Sequence, residues 1–207
     1  MSYICLMANA RGAVVAADSR ETFHPKVHMD WRRKCFALPE QQMVWAACGP
    51  TLRLGVDLLR STEIIFREKK TIEEKLEKIR TLVNAVTRLS PWAGDPGPFC
   101  LLIARMEEGK IAVWNCHVYK GELHVEKRVV APGEAVSLHA GAHHHEMPPL
   151  STASLQHLSY DQLRDLAKAR VKAAIQLDEG RHIKDPDHNQ TIGGGVRVAG
   201  LRMKAPD

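Results

Sequence analysis

Long apolar runs are missing from this chain. Nothing approaches the roughly 18 to 20 residues a membrane-crossing helix needs, and the start lacks the basic and apolar segments of a secretory signal. The expected location is the cytoplasm, with no membrane partner. Also missing are C-x-x-C pairs: Cys5, Cys35, Cys48, Cys100 and Cys116 are odd in number and scattered. Four of them lie in apolar, strand-like runs, so they read as reduced core residues and not as a disulfide framework. The formal charge of +5 is modest. Basic residues alternate with acidic ones, as in REKKTIEEKLEKIR from Arg67 to Arg80, which makes a solvated face and excludes a nucleic-acid footprint.

Other absences concern cofactors. HHHE at His143 to Glu146 and HIKDPDH at His182 to His188 contain ligand residue types, but neither has the i, i+4 spacing of a helical zinc motif. No metal is expected, and these histidines read as surface loop residues or a cluster titrating near pH ~6.5. IGGGV at Ile192 to Val196 precedes a strand with no helix after it, so it reads as a glycine turn and not a dinucleotide fingerprint. Trp31, Trp45, Trp92 and Trp114 are too dispersed for a stacking platform; they read as core or interface anchors.

What is present suits one globular unit over residues 1–207, since 44% hydrophobic content at this length can bury a core without staples. Tyr3 to Met7 and Ala13 to Ala17 predict an opening hairpin, and Cys35 to Leu38 with Met43 to Cys48 a second strand pair. Gly49 and Pro50 begin an imperfect helical stripe through Leu52, Val56, Leu59, Ile64 and Ile65. Thr71 and Glu74 form a capping-box pattern for a second helix that Ser90-Pro91 ends. Strands follow at Phe99 to Ala104, Ile111 to Val118, Leu123 to Val130 and near Val136. Ser159 and Gln162 cap a helix to about Asp178, a polar loop runs from Glu179 to Gln190, and Gly195 to Met203 closes the chain as a strand. This order suggests two stacked sheets with helices outside.

Three stretches carry a family resemblance: GAVVAADSR from Gly12 to Arg20, RRKCFAL from Arg32 to Leu38, and AACG from Ala46 to Gly49. Together they resemble the opening of proteasome β subunits and their bacterial relatives, which are N-terminal-nucleophile hydrolases. Asp18 and Lys34 stand 16 and 32 positions after Ser2, the family's offsets for its nucleophile, acid and lysine. The resemblance implies a four-layer αββα sandwich with Ser2, Asp18 and Lys34 as the catalytic set. The family's glycine for the oxyanion aligns with Cys48 or Gly49; the backbone N–H of Gly49, at the expected strand-to-helix junction, is the expected donor, helped by the dipole of the following helix. By offset from the family, Glu21, Arg32 and Ala46 line the pocket beside Ser2. A closed homo-oligomeric ring, peptide or protein substrates and an unfoldase ATPase partner belong to the same expectation, as does removal of Met1 to free the Ser2 amine.

The chemistry has its own logic. A serine hydroxyl needs a base in hydrogen-bond reach. An N-terminal serine carries one, because an α-amine titrates at about 7.7 to 8.0. A Lys34 ammonium would ease loss of the hydroxyl proton, and Asp18 would hold that lysine in place.

Two departures stand out. Serine replaces the family's usual threonine, and LHAGAHHHEMPPLSTAS occupies the stretch where the family supplies a Ser-Gly-Ser turn and an Asp. The leading expectation is amide-bond hydrolysis; a noncatalytic structural subunit and a small-molecule amidase are the alternatives. Ile64, Ile65 and Phe66 in succession cannot all face one core, so at least one should look outward from the helix pair.

Overall fold

The computed structural model describes residues 2–24, 27–89, 97–185 and 191–203. The opening hairpin pairs β1 (Tyr3–Asn9) with β2 (Gly12–Asp18), and a small ribbon, β3 (Glu21–His24) and β4 (Val27–Met29), follows. β5 (Cys35–Leu38) and β6 (Met43–Cys48) flank a 3-10 turn at Pro39–Gln41. A second ribbon, β7 (Leu52–Arg53) and β8 (Val56–Asp57), leads into α1 (Leu58–Arg67) and α2 (Ile72–Leu89). The second half runs through β9 (Phe99–Glu107), β10 (Lys110–Tyr119), β11 (Glu122–Val130), β12 (Ala135–Gly141), α3 (Thr152–Leu155), α4 (Tyr160–Lys184) and β13 (Val196–Arg202).

Two antiparallel sheets result, ordered β12-β1-β2-β13 and β11-β10-β9-β6-β5. Side chains in a strand alternate between faces, and here both faces are covered. On β1 and β2, Ile4, Leu6, Ala8, Val15 and Ala17 meet Val44, Ala46, Leu102 and Val113 of the other sheet, while Tyr3, Cys5, Met7, Val14 and Ala16 pack beneath Leu163, Ala167, Val171 and Ala174 of α4. That is why β1 and β2 read as unbroken apolar runs. On the larger sheet, Leu38, Trp45, Ile103 and Trp114 turn the other way, toward Ile72, Leu76, Ile79 and Val83 of α2. Those helix positions recur at the three-and-four spacing of one helix face.

The αββα sandwich expected from the sequence is corrected to a mixed α+β arrangement of two antiparallel sheets and four helices among the described residues. The ribbons β3–β4 and β7–β8 belong to neither main sheet, and α3 is only 4 residues long. The ribbon β7–β8 also occupies the ground assigned to the start of a helix at Pro50. Leu54 and Gly55 adopt φ of 49° and 76°, a left-handed turn that reverses the chain. Only then does Asp57 cap α1, its side chain accepting the Arg60 N–H at 3.0 Å.

At the other end α4 runs six residues past Asp178 to Lys184, consuming part of the expected loop. Arg181, His182 and Lys184 fall in its last turn, where cations suit the helix dipole. The stop at Ser90-Pro91, Trp92 and residues 186–190 of that loop lie outside the described residues. The capping boxes at Thr71/Glu74 and Ser159/Gln162 form, each with reciprocal side chain to backbone bonds. Of the apolar trio on α1, Phe66 is buried against Trp45 and Ile64 is the outward one, 59% exposed. Among the described residues, no helix is long and apolar enough to cross a membrane.

Candidate functional site

The site begins with strand register. β1 and β2 pair as Ile4↔Ala17, so the next step outward sets Tyr3 against Asp18, and Asp18 Oδ1 accepts the Tyr3 N–H at 2.9 Å. Ser2 therefore sits at the mouth of the hairpin, directly beside Asp18. Lys34, one residue before β5, comes in from the facing sheet. Ser2 is 4% exposed, and Asp18 and Lys34 are fully buried.

Lys34 Nζ donates to Ser2 Oγ at 2.5 Å, to Asp18 Oδ2 at 3.1 Å and to the Arg20 carbonyl. An ammonium has three protons and no acceptor, so all three are committed. Asp18 is equally occupied: besides Tyr3 N and Lys34 Nζ it accepts from Arg20 N at 3.0 Å and Gly193 N at 3.4 Å. Burial pushes its carboxyl above the usual carboxylate range, against the pull of the Lys34 ammonium and the Tyr3 and Arg20 amides. Removing Lys34 would leave Asp18 buried without its ion partner.

Around this trio lies a supporting shell that the sequence did not disclose. The Ser2 carbonyl accepts the Ala142 N–H at 2.9 Å. Gly141, with φ of 96°, passes so close that a Cβ there would stand 1.8 Å from that same carbonyl oxygen. Only glycine permits this approach. On the opposite side, Gly193 O receives Ser19 N and Arg20 N at 3.2 and 3.1 Å, and Arg20 holds Asp30 bidentately at 2.7 and 2.9 Å. Gly193 also lies against the Arg20 guanidinium, where a Cβ would come within 2.4 Å. GAHHHE thus supplies a backbone contact in the stretch where the family pattern has a Ser-Gly-Ser turn and an Asp, and IGGGV adds further backbone contacts. The glycine turn at Ile192 to Gly195 was legible; its docking on Asp18 was not.

His143 is buried, unlike the surface histidine expected, while His144 and His145 are exposed. Its Nε2 lies 2.8 Å from Asp178 Oδ1, and its Nδ1 lies 2.9 Å from Glu146. Asp178 Oδ2 in turn accepts Thr191 N and Ile192 N at 2.8 and 3.0 Å. This chain of bonds ties the segment behind Ser2 to the turn that reaches Asp18. One signal could have found it: Asp178 falls on the same α4 stripe as Val171, Ala174 and Ile175, and a carboxylate on a buried stripe requires a partner. Among the described residues, no group of three or more His, Cys, Asp or Glu side chains is arranged to hold a metal ion.

Gly49 follows the end of β6 with φ of 104°, and a Cβ there would meet the Pro98 carbonyl at 2.2 Å. The helix expected to lend it a dipole does not follow it, because β7–β8 intervenes. Glu21 and Arg32 pair with each other at 3.0 Å; Glu21 also accepts from Thr51 Oγ1, and Arg32 meets Asp57. Ala46 packs between the sheets, opposite Cys35. Burial pushes the Cys5 thiol up to about 12 and the Cys35 thiol well above its ordinary value, which makes both poor nucleophiles.

Neither a protein-family model nor a curated protein matches the chain. Anbu, the ancestral beta-subunit, from Yersinia bercovieri superposes with a TM-score of 0.57 at 17% identity, over 97% of this chain and 81% of that one. An Anbu (Gly-1) mutant from Hyphomicrobium sp. strain MC1 gives 0.60 at 12% identity, over 100% and 89%. The chain shares its fold with Anbu. The resemblance to proteasome β subunits drawn from the opening stretches is corrected accordingly: the likeness reported is to Anbu, and at these identities it extends to the fold alone.

Proposed function

We propose that this Anbu-like chain is a proteasome-like subunit that hydrolyses amide bonds, of peptides by preference, through Ser2. The observation that carries this reading is the Lys34 ammonium, buried, with all three protons spent on Ser2 Oγ, Asp18 and the Arg20 carbonyl. Such a lysine cannot take up a proton; it holds positive charge against the serine oxygen and lowers the cost of an alkoxide there. The proton must go elsewhere. Cleavage of the Met1–Ser2 bond would free an α-amine on the same residue, the nearest base with a suitable range.

In the proposed cycle the Ser2 amine takes the hydroxyl proton as Oγ attacks the substrate carbonyl. The tetrahedral oxyanion collapses, the protonated amine passes its proton to the leaving nitrogen, and an ester on Ser2 remains. Water, deprotonated by the same amine, then hydrolyses the ester. Gly49 N–H is the proposed oxyanion donor. A closed homo-oligomeric ring that confines the site, fed by an unfoldase ATPase, completes the reading.

Intact mass spectrometry before and after a β-lactone or epoxyketone probe tests it. The expected result is loss of Met1 and a single adduct on Ser2. A chain that keeps Met1 and takes no adduct would favour a noncatalytic structural subunit.

A further inference from the structure

A second charged site lies on the far side of the larger sheet, where the end of α1, the first turn of α2 and the strand β9 enclose a cleft of about 860 Å³. That volume is in the range of small-molecule sites. At its base is Lys75, only 1% exposed. Its Nζ donates to Gln41 Oε1 at 2.7 Å and to the Phe66 carbonyl at 2.8 Å. Both acceptors are neutral, and the third ammonium proton has no acceptor among the described residues. Beside it the Arg105 side chain makes no hydrogen bond or ion pair among the described residues, and its Nε is buried.

The carboxylates around the cleft do not relieve these two cations. Glu40 pairs with Arg67, Glu68 with Lys78, and Glu107 with Lys127. Glu74 accepts the Thr71 N–H to cap α2, and Glu73 is exposed to solvent. Burial and the neighbouring Arg105 charge hold the Lys75 ammonium below its ordinary range, with Glu68 opposing. A buried cation with unspent donors beside a second unpaired cation is unfavourable unless an anion joins them.

We propose that this cleft binds a small multivalent oxyanion, whose oxygens take the third Lys75 proton and the Arg105 guanidinium together. Planar guanidinium and point-charge ammonium suit phosphate and carboxylate groups alike, so the shared chemistry is two or more adjacent anionic oxygens. Exposed Lys69 at the rim adds long-range attraction. This site is independent of the chemistry proposed at Ser2.

Calorimetric titration of the full chain with pyrophosphate, and separately with citrate, at matched ionic strength tests the proposal. Saturable one-to-one binding of at least one anion is expected, and the tighter of the two names the ligand as phosphate or carboxylate. Arg105→Gln should weaken it roughly tenfold or more, the loss expected for a charge-assisted hydrogen bond. Lys69→Glu, an exposed change that cannot unfold the core, should weaken it by a smaller factor, and Ser2→Ala should bind like wild type. Absence of saturable heat with both anions, or full affinity in both Arg105→Gln and Lys69→Glu, would overturn the site.

Discussion

Lys34 Nζ stands 2.5 Å from Ser2 Oγ although 32 positions separate them. The two meet because Lys34 enters from one sheet and Ser2 from the other, and Asp18 at 3.1 Å fixes the lysine between them. Lys34→Met should abolish probe labelling of Ser2. It also leaves Asp18 buried without its ion partner, a loss of roughly 3–5 kcal/mol. The double variant Lys34→Met/Asp18→Asn should recover much of that stability in denaturant melts, yet still fail to label. Labelling restored in the double variant would show that Lys34 is there for structure only.

Gly141→Ala places a methyl group where the Ser2 carbonyl now lies, at a backbone φ of 96°. Strain of this kind costs about 1–3 kcal/mol, and relief requires Ser2 to move. We expect a lower Tm together with a fall in Ser2 labelling. Gly133→Ala is the control: its φ is also positive, at 81°, but no atom lies within 4 Å of the added Cβ, so it should cost stability alone.

His139 supplies a pH dependence. Its Nδ1 bonds Tyr3 Oη at 2.9 Å and its Nε2 bonds Ser137 Oγ at 3.0 Å, and burial drives its pKa down to about 4. The unfolded chain then binds the proton more readily than the folded one. The stability contributed by neutral His139 is therefore complete above about pH 6.5, the unfolded value, and is lost as pH falls toward about 4. Unfolding midpoints across that window should decline with acidification in wild type, and His139→Gln should flatten the slope. An unchanged slope would assign the acid sensitivity to other groups.

On α1, Phe66→Ala should cost about 3–5 kcal/mol, because the ring is fully buried and tilts against Trp45 at 5.2 Å. Ile64→Glu should leave the melting curve nearly unchanged. If the helix pair meets neighbouring subunits, light scattering will show that same variant to be smaller than wild type. A wild-type monomer would remove the proposed ring.

The strands of the two main sheets and the stripes of α2 and α4 were legible because alternation and three-and-four spacing follow directly from backbone geometry, and Ser2, Asp18 and Lys34 stood out as candidates because three residue types fell at set offsets. Local chemistry also decided both capping boxes. Other features depended on contacts between distant segments. Leu54 and Gly55 became a turn because β7 and β8 pair, which a helical stripe through Leu52 and Val56 could not foretell. His143 became a core residue only because Asp178, 35 positions away, meets it there. The Ala142 amide supports Ser2 and the Gly193 amide supports Asp18, and a backbone N–H is common to nearly every residue type, so no side-chain pattern announces either. Sequence by itself determined which residue types stand at the offsets of Ser2, Asp18 and Lys34; the tertiary structure decided what surrounds them, because burial and backbone hydrogen bonding depend on which segments come together.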